Sequence, residues 1–203
     1  TNGFQIVGAV EGGWSGWSVS SAGDVNGDGI DDIVIGAPNA DEKGESYVVF
    51  GSATRSTAQL DVSFLDGADG FKMNADSESG IGISVSSAGD VNGDGIDDII
   101  IGASGIAGAG ASYVVFGSAT QSTAQLDLSF LDGTNGFKIN GINSGDYSGE
   151  SVSSAGDVNG DGIDDIIIGA VGADPNGSSS AGESYVIFGS AARSTAQLDL
   201  TMM

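Results

Sequence analysis

The chain has 203 residues, a net charge of −23, and neither histidine nor cysteine. So acidic a chain has no basic patch with which to bind nucleic acid or an anionic membrane surface. The missing residue types exclude disulfides, thiolate sites, histidine-based acid–base catalysis and most zinc sites, and no apolar run is long enough for membrane insertion.

The same succession of segments occurs three times along the chain. In the first period, alternation of apolar and polar residues at 3–6 predicts a strand with one solvent-facing side. A strand of small residues is predicted to follow at 18–25. Apolar strands beginning at Ile33 and Ser46 come next, and a polar connector leads to the following period. The equivalent segments begin at residues 70, 84, 99 and 112 in the second period and at 136, 151, 166 and 184 in the third.

Four short strands per period without a helical pattern predict an all-β fold, a β-propeller of four-stranded antiparallel blades. The small-residue strand is predicted to be innermost, where blades come close together, with the apolar strands central. The Gly-Phe strand is predicted to be the outer edge, where exposed Lys72 and Lys138 discourage edge pairing. We expect a single domain of three repeats, approximately 1–67, 68–133 and 134–203.

The most specific signal is the stretch Asp-Val-Asn-Gly-Asp-Gly-Ile-Asp-Asp, which occurs unchanged at residues 24–32, 90–98 and 157–165. Oxygen-bearing side chains occupy positions 1, 3, 5 and 9, and glycines at positions 4 and 6 allow a backbone with φ > 0. Three carboxylates and one amide oxygen directed at one point repel each other unless a hard cation is bound. Ca²⁺ suits such a flexible oxygen cage.

We therefore predict three Ca²⁺ ions per chain, with the backbone carbonyl of position 7 as a fifth ligand. Position 8 (Asp31, Asp97 and Asp164) is predicted to face solvent. The alternative is that the loops are solvated turns that bind no metal, although three identical acidic copies argue against it. The predicted ligands are Asp24, Asn26, Asp28, Ile30 and Asp32, then Asp90, Asn92, Asp94, Ile96 and Asp98, then Asp157, Asn159, Asp161, Ile163 and Asp165.

Other calcium motifs fit the sequence less well. An EF-hand needs a bidentate Glu at loop position 12 and flanking helices, but that position is Ile35, Ile101 or Ile168 within a β-branched apolar run. The glycine-rich nonapeptide of the parallel β-helix calcium repeats is also absent.

The run Ser-Gly-Trp-Ser-Val-Ser-Ser-Ala-Gly-Asp-Val-Asn-Gly-Asp-Gly-Ile-Asp-Asp-Ile-Val-Ile-Gly-Ala-Pro at 15–38, followed by Tyr-Val-Val-Phe-Gly at 47–51, resembles the FG-GAP repeat of integrin α chains and secreted bacterial proteins. The resemblance extends over all three periods. It implies a calcium loop between the first two strands of each blade. The chain departs from the family's Phe-Gly pair, with Ser15, Ile81 and Ser148 in place of Phe, and has Gly-Ala-Pro complete only at 36–38.

Trp14 and Trp17 occur only in the first period. We favour packing between blades for this pair, and the alternative is an exposed platform for a sugar or a partner. The connectors at 39–44, 105–110 and 172–182 vary most between periods, so they are candidate partner-contact loops.

We expect a non-catalytic, extracellular or cell-surface module for protein binding, adhesion or scaffolding. A lectin-like carbohydrate-binding module and an accessory segment of a larger secreted enzyme remain alternatives. The chain begins without Met, which indicates a mature or excised piece. Since three blades are too few to close a ring, we expect either a homodimer that closes a six-bladed propeller with six Ca²⁺ ions, or further repeats of a parent chain.

Overall fold

The computed structural model describes residues 2–55, 57–75, 80–105 and 108–202. In these ranges the regular structure is strand, apart from short 3₁₀ turns, so the all-β prediction is confirmed. The 3₁₀ turns are Ala40–Glu42, Val62–Phe64, Leu128–Phe130, Pro175–Gly177 and Leu200–Met202. No helix in the described part of the chain is long and apolar enough to cross a membrane.

The described residues form fifteen strands, most of them where the repeated sequence pattern predicts them. In chain order they are β1 (Gln5–Val7), β2 (Ser18–Gly23), β3 (Asp32–Ala37), β4 (Glu45–Val49), β5 (Gln59–Asp61), β6 (Gly70–Asn74), β7 (Ile81–Gly89), β8 (Asp98–Ala103), β9 (Ala111–Val115), β10 (Gln125–Asp127), β11 (Gly136–Asn140), β12 (Ser148–Gly156), β13 (Asp165–Ala170), β14 (Glu183–Ile187) and β15 (Gln197–Asp199).

Three sheets repeat one topology. Sheet 1 has the order β2-β3-β4-β6-β10, sheet 2 the order β7-β8-β9-β11-β15, and sheet 3 the order β12-β13-β14. The first four strands of sheets 1 and 2 are antiparallel, and the fifth pairs in parallel. Strand β6 belongs to the second period but completes sheet 1, so each full sheet takes its Gly-Phe strand from the next repeat. Strand β1 pairs only with β5, in a separate two-stranded sheet.

The fifth strand is a difference from the sequence prediction, which treated the whole Ser-Thr-Ala-Gln-Leu-Asp segment as a polar connector. Its Gln-Leu-Asp part forms β5, β10 and β15. A three-residue strand with one apolar residue is too short to show alternation, so the pattern could not reveal it.

The prediction that the Gly-Phe strand is an exposed outer edge, with its lysine in solvent, is wrong for β6 and β11, since β10 and β15 cover them. Lys72 is half-buried, and its Nζ lies 2.8 Å from Oε1 of the buried Glu45. The hydroxyl of Tyr47 donates to the other carboxylate oxygen of Glu45. In sheet 2 the equivalent Lys138 lies over the ring of Tyr113 instead, at 5.7 Å.

The hydrophobic core lies between neighbouring sheets. Successive isoleucines of β8 point to opposite faces of sheet 2. Ile99 and Ile101 belong to a hydrophobic cluster with residues of sheet 1, and Ile100 belongs to a cluster with Ile166 and Ile168 of sheet 3. A strand buried on both faces needs a continuous apolar run rather than alternation. This explains why the second strand of every sheet (β3, β8 and β13) contains Ile-Ile-Ile or Ile-Val-Ile.

The small-residue strands β2, β7 and β12 lie at the edges of their sheets, and β7 contacts both β2 and β12. Ala22 and Ala88 are fully buried there. The predicted innermost position of these strands is therefore confirmed. The backbones also approach closely, because a Cβ on Gly102 would lie 2.0 Å from the carbonyl oxygen of Gly149 in the next sheet.

A substitution at Gly102 tests this backbone contact. Gly102→Ala forces two backbones apart, and we expect it to lower the free energy of unfolding by about 1–3 kcal/mol, as overpacking does. Gly169→Ala is the matched control, since the nearest atom there is the Ser151 hydroxyl of its own sheet, 2.5 Å away, which can rotate. Urea unfolding should rank Gly102→Ala as clearly the more damaging, and equal losses would contradict the packing of sheet 2 on sheet 3.

Candidate metal-binding loops

The three repeated loops connect the first and second strands of their sheets, as the resemblance implied. We call them loop 1 (residues 24–32), loop 2 (90–98) and loop 3 (157–165). Glycines at positions 4 and 6 have positive φ in every loop, for example 72° at Gly27 and 86° at Gly29. A side chain at either position would be strained, so the prediction of a left-handed backbone there is confirmed.

Each loop winds around the carboxylate at position 1. In loop 1, Oδ1 of Asp24 accepts the amide of Asp28 at 3.0 Å, and Oδ2 accepts the amide of Gly29 at 2.7 Å. The same pair of hydrogen bonds recurs around Asp90 and Asp157. Around Asp157, the amides of Gly162 foremost, then Gly160 and Asp161, lower the pKa of the carboxyl, because they stabilise its charged form.

Positions 3 and 5 form successive turns on the exposed side of the loop. Oδ1 of Asn26 accepts the amide of Asp28 at 2.9 Å, and Oδ1 of Asp28 accepts the amide of Ile30 at 2.9 Å. Side chains of Asn and Asp commonly close turns in this way. The amide nitrogen of Ile30 is thus part of the loop framework, whereas its carbonyl as fifth ligand stays a prediction, as do those of Ile96 and Ile163.

The carboxylate at position 9 is the buried member of the set. Asp32, Asp98 and Asp165 are all buried. In loop 1, Oδ1 of Asp32 accepts the amide of Gly51 at 2.7 Å and Oδ2 accepts that of Val25 at 3.0 Å. This residue therefore ties the loop to the segment immediately after β4.

Burial raises the pKa of Asp32 to about 6 and that of Asp98 to about 8. The two backbone amides on each carboxylate oppose the shift, and the carboxylates at positions 5 and 1 add to it. The ionised form is disfavoured because the charge is desolvated and near like charges. A cation held beside this carboxylate would favour ionisation.

The donor set suits a hard cation, since each loop offers only carboxylate, amide and carbonyl oxygens. In the described residues, no three acidic side chains are grouped closely enough to hold a metal ion. The side chains instead accept hydrogen bonds from the loop amides. An oxygen that accepts one such bond retains a second lone pair for a cation, whereas Oδ1 of Asp90 and Oδ1 of Asp157 each accept two. The residues fit calcium chemically, and calcium binding is therefore a matter for proposal.

The aspartates at position 8 are not alike. Asp31 is exposed, as predicted, but Asp97 and Asp164 are half-buried and contact the preceding loop. Oδ2 of Asp97 accepts the amide of Asp24 at 2.9 Å, across 73 residues of sequence. The sequence offered one signal for this contact, namely an aspartate that recurs at position 8 of every copy although it is not one of the predicted ligands.

Trp14 and Trp17 do not pack between sheets, so the favoured interpretation is wrong in this structure. Each is 58% exposed, and the rings stack on each other with centroids 5.5 Å apart and planes inclined by 23°. Trp14 has a left-handed backbone with φ of 58°, like its equivalents Gly80 and Tyr147. The pair is therefore an exposed aromatic surface at the start of the first period.

The candidate contact loops at 39–44 and 172–182 contain 3₁₀ turns, Ala40–Glu42 and Pro175–Gly177, that have no counterpart in the second period's described residues. In the remaining candidate loop, 105–110, residues 106 and 107 lie outside the described residues. Loop 39–44 contacts the tryptophan segment, since the amide of Asn39 donates to the carbonyl of Gly13 at 3.3 Å.

Comparison with known proteins agrees with this architecture. Residues 15–49, 82–115 and 148–187 match the FG-GAP repeat. Each matched segment contains the three inner strands of one sheet and its loop, and together they cover more than half of the chain.

The chain is also similar to curated integrin α chains. It is 32% identical to integrin alpha pat-2 of Caenorhabditis elegans in an alignment of 185 residues that covers 84% of this chain and 14% of that protein. It is 32% identical to integrin alpha-PS2 of Drosophila melanogaster in an alignment of 126 residues that covers 57% of this chain and 8% of that protein. Integrin alpha-5 of Xenopus laevis is 31% identical in an alignment of 183 residues that covers 84% of this chain and 16% of that protein. The chain thus spans only a small part of these relatives.

The repeated sheets, the position of the loops and the matched segments agree with one another. The chain therefore belongs to the FG-GAP repeat family, and its sheets are β-propeller blades of the integrin α type.

Proposed function

We propose that the chain is a non-catalytic, calcium-binding β-propeller module that binds protein partners in an extracellular or cell-surface setting, in adhesion or scaffolding. The observation that supports it most is the threefold occurrence of one loop, each copy wound around an aspartate and closed by a buried one. Each of the three loops is proposed to hold one Ca²⁺ ion.

In each loop the proposed ligands are the oxygens at positions 1, 3, 5 and 9, with the position 7 carbonyl. Calcium would supply the positive charge that the buried carboxylate otherwise lacks, and the loop's own amides would keep the ligands in place. Calcium binding would thereby join the ends of the first two strands of each sheet. The metal is structural in this proposal.

The adhesion role is supported by similarity to integrin α chains over most of this chain's length. The non-catalytic role is supported by the lack of histidine and cysteine and by three equivalent carboxylate clusters, where catalysis needs one asymmetric site. An accessory segment of a larger secreted enzyme is a rival, and a hydrolase domain in the parent gene would favour it.

Calcium removal tests the proposal. Extracellular sites have dissociation constants of about 10⁻⁴ to 10⁻³ M, so tenfold higher free Ca²⁺ stabilises the fold by about 1.4 kcal/mol per site and about 4 kcal/mol for three. Chelation should therefore lower Tm by about 8–16 °C in a chain of this size. Calorimetric titration should give three ions per chain.

Two variants of loop 1 make the test specific. Asp28→Ala removes a proposed ligand and should reduce the stoichiometry from three ions to two. Asp31→Ala removes the same charge from an exposed side chain of the same loop and should leave three. A Tm that is indifferent to chelator would reject calcium binding, and fewer than two ions bound by the parent chain would reject the proposal of one ion per loop.

A second candidate function is carbohydrate binding, and the exposed Trp14–Trp17 pair is the observation that favours it. Indole faces stack on sugar rings, and an exposed apolar surface of this kind commonly marks a binding site. Loop 39–44, which contacts the same segment, would supply polar groups, among them the side chain of Asn39, whose Nδ2 donates to the carbonyl of Gly12 at 2.7 Å.

Tryptophan fluorescence separates this candidate from the first. If the pair binds sugar, titration with a panel of neutral oligosaccharides should shift the emission, and Trp14→Ala or Trp17→Ala should weaken binding about tenfold, as expected for loss of one aromatic contact. Phe64→Ala removes another exposed aromatic side chain and serves as the control. No shift with any oligosaccharide would eliminate the lectin-like reading.

We also propose that the chain self-associates through the open faces of sheets 3 and 1. Val25 and Val91 are each 3% exposed under the following sheet, whereas the equivalent Val158 of sheet 3 is 56% exposed. On the opposite face, Val85 and Val152 are 6% and 8% exposed, whereas Val19 of sheet 1 is 65% exposed.

The same two faces pack against each other between sheets 1 and 2 and again between sheets 2 and 3. The open face of sheet 3 is therefore complementary to the open face of sheet 1. Sheet 3 of one copy and sheet 1 of another would bury them, and two copies would bring six sheets together. A following repeat of a longer parent chain would cover the same surface.

Sedimentation in calcium buffer tests self-association. We expect twice the chain mass of 20.0 kDa, because burying an apolar face is favourable. Phe188→Asp places a charge on the open face of sheet 3, where Phe188 is 54% exposed, and should give monomers. Phe130→Asp, on an exposed 3₁₀ turn, should leave the dimer intact. A parent chain that stays monomeric at all concentrations would refute the dimer.

A further inference from the structure

Adjacent loops are linked by a contact that we call the interloop contact. Its first copy joins residue 97 of loop 2 to residue 24 of loop 1. Oδ2 of Asp97 accepts the amide of Asp24 at 2.9 Å, and the amide of Asp97 donates to the carbonyl of Asp24 at 3.3 Å. The backbone N–H and C=O groups of Asp24 are thus both hydrogen-bonded to Asp97 of the neighbouring blade.

The second copy joins residue 164 of loop 3 to residue 90 of loop 2. Oδ2 of Asp164 accepts the amide of Asp90 at 3.1 Å, and the amide of Asp164 donates to the carbonyl of Asp90 at 3.3 Å. Two independent occurrences with the same atoms show that the interloop contact is built into the repeat.

A glycine precedes both Asp24 and Asp90, and its lack of a side chain leaves room for the interloop contact. A Cβ on Gly23 would lie 2.2 Å from Oδ2 of Asp97, and one on Gly89 would lie 2.1 Å from Oδ2 of Asp164. The equivalent Gly156 of the third period would meet nothing within 4 Å. The close approach therefore occurs only where a following loop is present.

We propose that Asp97 and Asp164 are positioning residues for the metal site of the preceding loop, so that calcium affinity in one blade depends on the next blade. This rests on the proposed calcium binding. Asp24 and Asp90 are the first ligands of their loops, and the interloop contact fixes the backbone from which each ligand side chain extends. Holding a ligand in place before binding lowers the entropic cost of ordering it.

A second contact supports the same residues. The amide of Ser118, which follows β9, donates to the carbonyl of Val25 at 2.8 Å, and that of Ser190 donates to the carbonyl of Val91 at 2.8 Å. Residues 24 and 25 of loop 1 are therefore both bonded to the neighbouring blade. Loop 3 is the internal comparison, since Asp157 is exposed whereas Asp24 and Asp90 are half-buried.

Calcium titration of a chain with a single working loop tests the proposal. Asp94→Ala and Asp161→Ala together remove a proposed ligand from loops 2 and 3, so that calorimetry reports loop 1 alone. In that background, Asp97→Ala removes the hydrogen bond to the Asp24 amide and should weaken calcium binding about three- to tenfold, the range for one lost hydrogen bond.

Two further variants separate positioning from charge. Asp97→Asn keeps an oxygen acceptor but loses the charge, and should bind calcium within about twofold of the background. Asp31→Ala loses the same charge at the equivalent, exposed position and should also bind within about twofold. If charge alone mattered, Asp97→Asn would weaken binding as much as Asp97→Ala.

The outcomes distinguish failure of this inference from failure of the proposed function. Equal affinities for Asp97→Ala and Asp31→Ala, in a chain that binds calcium, would overturn the positioning role alone. No calcium binding by the parent chain would overturn both. Should Asp97→Ala fail to fold, Asp164→Ala in a background that keeps only loop 2 makes the same test on the second copy.

Discussion

Backbone-to-backbone contact between neighbouring sheets is the constraint on which the rest of the structure depends. A Cβ on Gly36 would lie 2.0 Å from the carbonyl oxygen of Gly82, and Gly102 meets Gly149 in the same way. Contact this close requires small residues in the inner strands. It also buries the second strands on both faces, and it brings the ends of adjacent loops within hydrogen-bond distance of each other.

Many of the acidic residues of the chain are concentrated in the three loops. Each loop carries four of the 28 acidic residues, and the position 9 carboxylate is buried among them. Burial raises the pKa of Asp98 to about 8, because the desolvated charge has backbone amides for partners but near like charges as well. A cation bound among these carboxylates, as proposed, would stabilise the fold by holding the strand ends together.

Interactions within one period and the innermost placement of the small-residue strands could be predicted from the sequence, whereas the specific contacts between periods could not. The loop backbone and the inner strands follow from local glycine placement and apolar runs. The Gln-Leu-Asp strands were missed because three residues show no period. The Asp97–Asp24 contact depends on how two blades dock, which no single repeat encodes. The exposure of Trp14 and Trp17 likewise depends on what lies beside the first sheet.

The ion pair between Glu45 and Lys72 distinguishes one repeat from another. Near-identical repeats can exchange strands during folding, and a wrong Gly-Phe strand would form the same backbone ladder. Sheet 1 accepts a lysine beside a buried glutamate, whereas β1 carries Gln5 at that position and sheet 2 has Ala111 in place of the glutamate. Leaving Glu45 without its cation costs about 3–5 kcal/mol. The charged pair thus disfavours β1, with Gln5, in place of β6, whereas β11 carries Lys138 at the same position and would satisfy Glu45 equally.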